Sequence, residues 1–155
     1  MASYRNISMD FWTDSKVVDD FTPEDRYIYL YGNVFEFIDG INFSDGTVYV
    51  CLNPASYADD TATNYTNIGS KIQRDGYITA IGVAAAMPWA FFPTGVGGSE
   101  TTYIPDYAPC GSGWRVLFVG GDWSYGGHAG LFCFHANSTS SLTNSSVGAR
   151  LLFHP

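Results

Sequence analysis

The chain has 155 residues, enough for one domain with a real core, and its 15 acidic and 7 basic side chains give a net charge of −8. Such a charge repels phosphate backbones, so we expect no nucleic-acid partner. Hydrophobic residues make up 46% of the chain and charged residues only 14%, a balance that argues against intrinsic disorder. Because no apolar run reaches the ~20 residues of a membrane-spanning helix, we also expect no membrane insertion.

Residues 1–31 predict a short N-terminal helix. Thr22 is a candidate N-cap, Pro23 follows at the first helical position, and Glu24 and Asp25 would lie at the positive end of the helix dipole. The segment has no basic stretch followed by an apolar one, so we expect no signal peptide. We interpret it as a leader that precedes the main domain.

Short β-type segments follow the leader. Residues 34–38 and 47–52 predict two strands, and the dipeptides Asp39-Gly40 and Asp45-Gly46 predict turns. Asn53-Pro54 indicates the start of a single helical turn.

The middle of the chain predicts one strand among several irregular segments. Residues 69–76 have the character of a polar connection, and 76–84 predict the strand. Prolines bound the segment 88–93, and because proline cannot donate to a sheet ladder we expect a packed irregular loop there. Residues 95–113 predict a long glycine-rich loop.

Three further strands are predicted in the last part of the chain, at 114–119, 129–136 and 147–155. In the first of them Val116 and Phe118 alternate with the two other apolar residues, as in a strand with two distinct faces. A small polar segment separates the last two strands. Apolar segments with irregular polar spacers indicate a rigid frame that carries an exposed recognition surface.

The same C-terminal part carries a skeleton of glycines, aromatic residues and arginines. It consists of Trp114-Arg115, Gly120-Gly121, Trp123, Gly126, 129–132 (Ala-Gly-Leu-Phe) and 148–151 (Gly-Ala-Arg-Leu). This pattern resembles the variable region of target proteins of diversity-generating retroelements, of the phage tropism-determinant type. Residues 39–65 are similar to the conserved part of gut-phage structural proteins.

The resemblance implies an α+β, C-type-lectin-like fold, shared with formylglycine-generating-enzyme-like domains. Its features would be a small, twisted, mainly antiparallel sheet, long glycine-rich loops and the short N-terminal helix. Residues 32–155 would form the ligand-binding domain, with a variable region at about 114–155.

In such proteins an error-prone reverse transcriptase randomises exposed side chains on a fixed skeleton. Trp114 and Trp123 are then expected to be core and loop anchors, with Trp123 also able to contact a ligand. The non-skeleton positions are the candidate ligand-binding residues: Asp122, Ser124, Tyr125, His128, Cys133, Phe134, His135, Asn137, Ser138, Leu142, Thr143 and Ser146. Phe134 has a core position in the strand as its alternative.

The function that the resemblance implies is non-enzymatic recognition, by a phage tail-tip or virion-surface protein made in the bacterial cytoplasm. The partner would be a host-surface protein or glycan. Multivalent attachment favours a homo-oligomer such as a trimer. Two alternatives remain open: a structural virion decoration protein, and a replication accessory protein, because residues 4–31 resemble the beginning of phage replisome organisers of the winged-helix type.

The sequence predicts neither a metal site nor a cofactor. His128, His135 and Asp122 lack the short spacing of metal-binding motifs. Asp59-Asp60 and Asn64 could offer oxygens to Ca²⁺ but lack the glycine pattern of an EF-hand, so we interpret them as a cluster at a helix end or a turn.

The sequence also predicts no catalytic residues. The oxidase relatives of the lectin-like fold need two reactive cysteines close together, and Cys110 and Cys133 are the nearest candidates. Cys133 falls at a candidate variable position, which argues against that role. The three cysteines lack CxxC spacing, so we interpret them as free, partly buried thiols.

Overall fold

The computed structural model describes residues 31–72, 74–102 and 104–149, without the side chains of Ser70 and Lys71. The helix predicted after Thr22 and the last residues of the predicted C-terminal strand lie outside these ranges.

Strands dominate the described residues, with two single turns of 3-10 helix between them. The 3-10 turns are Pro54–Ser56 and Gly126–His128. The strands are β1 (Phe35–Ser44), β2 (Thr47–Val50), β3 (Thr66–Lys71), β4 (Gly76–Ala84), β5 (Met87–Val96), β6 (Tyr107–Ala108), β7 (Trp114–Val119), β8 (Phe134–Ser138) and β9 (Val147–Gly148).

The α+β, C-type-lectin-like architecture expected from the resemblance is wrong for this part of the chain. Within the described ranges there is no α-helix, and strands with short turns account for the regular structure. The physical reason is the residue pattern: β-branched and aromatic residues alternate over short stretches between turn-forming glycines, which stabilises extended backbone. The expected antiparallel pairing is present.

Two sheets make up the fold. The larger has the order β3-β2-β1-β7-β8, and β9 pairs with β1 in parallel at residues Phe35 and Glu36. The smaller has the order β5-β4-β6, and both of its pairings are antiparallel. Within the described residues no helix has the length and apolar character needed to cross a membrane.

Glycines determine the path of β1 and the turn that follows it. At the predicted turn Asp45-Gly46, φ is 48° and 75°, and β2 begins directly afterwards, which confirms the turn. The turn predicted at Asp39-Gly40 is wrong, because β1 continues through it with a register shift against β7 between Ile38 and Asn42. A Cβ on Gly40 would lie only 2.7 Å from the Tyr57 ring, so the irregularity requires glycine there.

The core lies between the two sheets, and β7 is covered on both faces. Phe134 of β8 contacts Phe43 at a ring-centroid distance of 5.3 Å and Phe92 of the smaller sheet at 5.9 Å, both edge to face. Leu117 belongs to this core, whereas Val116 and Phe118 pack in a second cluster on the opposite face. The predicted alternation of 114–119 is therefore confirmed.

Three strands were not predicted: β3, β5 and β6, the last of which lies within the glycine-rich loop expected at 95–113. The expected irregular loop at 88–93 is wrong, because this segment lies within β5, at the edge of the smaller sheet. Pro93 pairs with Ile81 next to a register shift, and edge strands with bulges tolerate proline. The expected polar connection at 69–76 begins inside β3, which is polar in sequence but buries Ile68.

Candidate recognition surface

The recognition loop, residues 120–133, connects β7 to β8 and contains much of the predicted variable surface. Its first part is held by Asp122, whose Oδ1 accepts hydrogen bonds from the amide and the hydroxyl of Ser124, at 2.9 and 2.8 Å. Burial opposes ionisation of this carboxyl, but hydrogen bonds from the side chains of Ser124 and Ser146 and from nearby amides hold the pKa of Asp122 below its ordinary value. Asp122 therefore fixes the loop from inside.

A second buried carboxylate holds the other end of the recognition loop. Asp106 precedes β6, and its Oδ2 accepts a hydrogen bond from the amide of Phe132 at 2.5 Å. Burial raises the pKa of Asp106, and the hydrogen bond from Phe132 lowers it in part. Gly130 packs against this carboxylate so closely that a Cβ there would collide with it.

His128 lies in the recognition loop between the two segments that Asp122 and Asp106 hold. It is surrounded by three tyrosines that we call the tyrosine cluster: Tyr77, Tyr107 and Tyr125. The imidazole stacks on Tyr107, with ring centroids 4.5 Å apart and an interplanar angle of 15°. Tyr77 and Tyr125 each meet it edge to face at 5.3 Å. All four side chains are half-buried, so the cluster fixes the loop turn and still reaches the surface.

His135 lies next to Tyr125 and packs against the second core cluster, which includes Phe35 and Phe118. Its ring meets Phe35 edge to face at 5.0 Å, and Phe118 lies 6.0 Å away. Burial lowers the pKa of His135, and its Nδ1 has no hydrogen-bond partner among the described residues. This imidazole is therefore a packed, neutral side chain at neutral pH.

Cys133 is the buried thiol at the end of the recognition loop. Burial is the main cause that raises its pKa to about 12, with the carboxylates of Asp106 and Asp122 adding to the effect. A thiol with such a pKa is protonated at neutral pH, whereas the thiolate is the nucleophilic form. Cys51, Cys110 and Cys133 are all free thiols.

Trp123 is the most exposed large hydrophobic side chain of the described residues, with 60% of its surface accessible. The expectation that Trp123 anchors the core is therefore wrong, whereas its alternative role as a ligand contact is compatible with this exposure. Trp114, the other expected anchor, is half-buried against Tyr49, with ring centroids 5.6 Å apart.

A second loop, residues 139–146, follows β8. Its Ser140 hydroxyl donates to Oδ2 of Asp60 at 2.8 Å, so the loop is tied to the segment before β3. At its end, the carbonyl of Ser146 accepts a hydrogen bond from the amide of Phe35 at 2.8 Å. Leu142, between these two ties, is 41% exposed.

The predicted ligand-binding residues fall into three groups by exposure. Trp123, Ser124, Asn137, Leu142 and Thr143 are exposed, and Tyr125, His128, His135 and Ser138 are half-buried. For Asp122, Cys133, Phe134 and Ser146 the expected exposure is wrong.

Each of the predicted ligand-binding residues that is buried contributes to the folded structure. Asp122 and Ser146 supply the hydrogen bonds described above. Cys133 and Phe134 enter the two core clusters on opposite faces of the larger sheet, as successive residues of an extended chain must. The core alternative for Phe134 is confirmed.

The tyrosine cluster includes two residues that the sequence analysis did not single out. Tyr77 of β4 and Tyr107 of β6 are directly paired across the smaller sheet, with ring centroids 5.1 Å apart. Nothing local distinguishes them from other tyrosines, because their meeting depends on the pairing of strands 30 positions apart in the chain.

Within the described ranges, no group of three or more His, Cys, Asp or Glu side chains is placed to hold a metal ion. No known protein family matches the chain, and no curated protein matches it either.

Proposed function

We propose that this protein is a non-enzymatic recognition protein that binds its ligand through the exposed side chains of the recognition loop and of the 139–146 loop. The observation that carries the proposal is Trp123, 60% exposed at a turn that buried hydrogen bonds hold in place. An exposed tryptophan on a fixed turn is typical of a binding hot spot, because it offers a large contact area with little loss of conformational entropy.

The electrostatics of the recognition loop support binding rather than catalysis. The candidate nucleophile, Cys133, is protonated because burial raises its pKa to about 12. His135, in the strand that follows the loop, is enclosed by aromatic rings, and burial lowers its pKa. Both side chains pack against the second core cluster.

The resemblance to retroelement-diversified proteins supports a more specific form of this proposal. The exposed positions of the two loops would be the diversified ones, and the chain would act on a phage tail tip or virion surface, as a homo-oligomer such as a trimer. Its partner would be a protein or glycan on the host surface. The buried carboxylates, by contrast, would have to stay constant for the loop to keep its shape.

A multiple variant tests the proposal. In Trp123→Ser, Leu142→Ser and Thr143→Ser combined, we expect a nearly unchanged melting temperature, because surface substitutions usually change the free energy of unfolding by less than about 0.5 kcal/mol each. Binding of the labelled protein to a panel of bacterial strains should be lost. Leu52→Ser, which replaces a 56% exposed leucine outside both loops, is the matched control and should bind like the parent.

Two outcomes contradict the proposal. One is a combined variant that binds the same strains as strongly as the parent. The other is a parent protein that binds none of the panel while it converts a substrate in an activity screen.

A further inference from the structure

We infer that the tyrosine cluster and Glu100 together bind a positively charged side chain, an arginine or lysine, of a protein partner. The inference rests on the proposed function and names the chemistry of the ligand. It also extends the recognition surface to β4, β6 and the glycine-rich loop, outside the segment predicted to vary.

Aromatic rings that reach the surface are the first component of this site. Tyr77 and Tyr107 meet at 84° with ring centroids 5.1 Å apart, and both side chains are half-buried, so part of each ring is accessible from outside. His128 stacks on one side of Tyr107 and fixes the ring. A guanidinium or ammonium group is attracted to the face of such a ring by its quadrupole.

An exposed carboxylate next to the cluster is the second component. Oε2 of Glu100 lies 3.9 Å from the position that a Cβ on Gly127 would occupy, directly beside His128 in the loop turn. The same carboxylate contributes, after burial, to the raised pKa of the Tyr77 hydroxyl, which places its charge near that ring. Among the described residues Glu100 has no hydrogen bond or ion pair.

The two described arginines are engaged elsewhere. Nη2 of Arg74 donates to the carbonyl of Val96 at 3.3 Å, and Nη1 of Arg115 donates to the carbonyl of Trp114 at 2.6 Å. With a net charge of −8, the protein attracts basic partners and repels acidic ones. The exposed carboxylate of Glu100 and the aromatic rings therefore complement a cation from another molecule.

A neutral saccharide is less well matched to this site. Sugar rings stack on aromatic faces, but their specificity comes from several hydrogen-bonding groups around the ring. An ionised Glu100 can only accept hydrogen bonds, and a bound sugar would desolvate its charge without a cation to compensate. A cation can contact the aromatic rings and the carboxylate of Glu100 at the same time.

Isothermal titration of the full-length protein with two short peptides tests the inference. The first peptide is Ac-Gly-Arg-Gly-Arg-Gly-amide, and the second replaces both arginines by citrulline, which keeps the shape and removes the charge. A charged hydrogen bond and one cation–π contact together predict about tenfold tighter binding of the arginine peptide. Higher salt should weaken it, since exposed charges are screened.

Variants identify the site. Glu100→Gln should reduce binding of the arginine peptide by about fivefold and leave the citrulline peptide unchanged, because only the charge is lost. Tyr77→Leu should weaken the arginine peptide as well, through loss of the aromatic face. Asp59→Asn, another exposed carboxylate, is the matched control and should bind like the parent.

Equal affinity for both peptides overturns the inference, as does a Glu100→Gln variant that binds like the parent. Tighter binding of a neutral oligosaccharide such as chitotriose, lost in Tyr77→Leu, overturns the assignment of a basic ligand. If the peptides fail in these ways while the multiple loop variant still loses bacterial binding, the inference falls and the proposed function stands. If the peptides behave as expected while that loop variant binds bacteria normally, the proposed function falls instead.

Discussion

At the scale of single residues, burial separates the side chains that hold the recognition loop from those that can contact a ligand. Phe134 and Trp123 illustrate the difference. Phe134 is fully buried between two other phenylalanines, whereas Trp123 is 60% exposed.

These two positions give a first prediction. Phe134→Ala should lower the free energy of unfolding by about 3–5 kcal/mol, because it leaves a cavity in the core. Trp123→Ala should change it by no more than about 0.5 kcal/mol. Urea titration followed by circular dichroism measures both. A large loss in the Trp123 variant would place that ring in the core and contradict its role at the surface.

Gly130 gives a second prediction, on the contact between the recognition loop and Asp106. Gly130→Ala should cost about 1–3 kcal/mol, because the new methyl group collides with a buried carboxylate. Gly127→Ala is the matched control, since its Cβ would have only Glu100 near, at 3.9 Å. Equal stability of the two variants would show that Asp106 does not hold the loop.

His135 gives a third prediction, on pH. Burial lowers its pKa in the folded protein, so between that value and the ordinary pKa of 6.5 the unfolded chain binds more protons. The stabilising contribution of the neutral His135 side chain is therefore complete above pH 6.5, and it is lost as the pH falls below 6.5. The difference in unfolding free energy between the parent and His135→Phe, measured from pH 8 to pH 5, should shrink or reverse towards low pH. A constant difference would contradict the burial of this imidazole.

At the scale of strands and turns, sequence patterns correctly predicted those elements whose conformation depends only on residues close together in the chain. The alternation in β7 and the Asp45-Gly46 turn are examples, because strand faces and left-handed turns are encoded within a few residues. The strand β5 could not be predicted in the same way, because proline is tolerated there only at a sheet edge. The family resemblance also led to the wrong fold class, since it concerns turn glycines and aromatic residues rather than helix-forming segments.

The turn between β1 and β2 gives a fourth prediction. Gly46→Ala should cost roughly 1–2 kcal/mol, because φ is 75° there and a side chain strains the left-handed conformation. Asp45→Asn is the control. Asparagine tolerates the φ of 48° and keeps an oxygen for the amide of Gly113, which Asp45 accepts at 2.8 Å. In thermal melts, the melting temperature of Gly46→Ala should be well below that of Asp45→Asn. The reverse order would contradict the turn geometry.

At the scale of the whole molecule, the two sheets bring together residues that the sequence keeps far apart. Residues 120–128 of the recognition loop fell between two predicted strands, but residues 129–133 were expected in the second of these strands and lie before β8. The anchoring role of Asp106 and the pairing of Tyr77 with Tyr107 were not predictable, because they depend on which strands become neighbours. The candidate site therefore combines a loop with strands of the smaller sheet that are distant from it in the sequence.

Oxidative footprinting of Trp123 tests the central claim most directly. The protein would be exposed to hydroxyl radicals free in solution and bound to a bacterial strain that it recognises, and oxidation of each tryptophan would be measured by mass spectrometry. We expect oxidation of Trp123 to fall strongly on binding, because the ligand covers its exposed surface, while that of half-buried Trp114 stays unchanged. Equal oxidation of Trp123 in the free and the bound protein would contradict the recognition surface proposed for this chain.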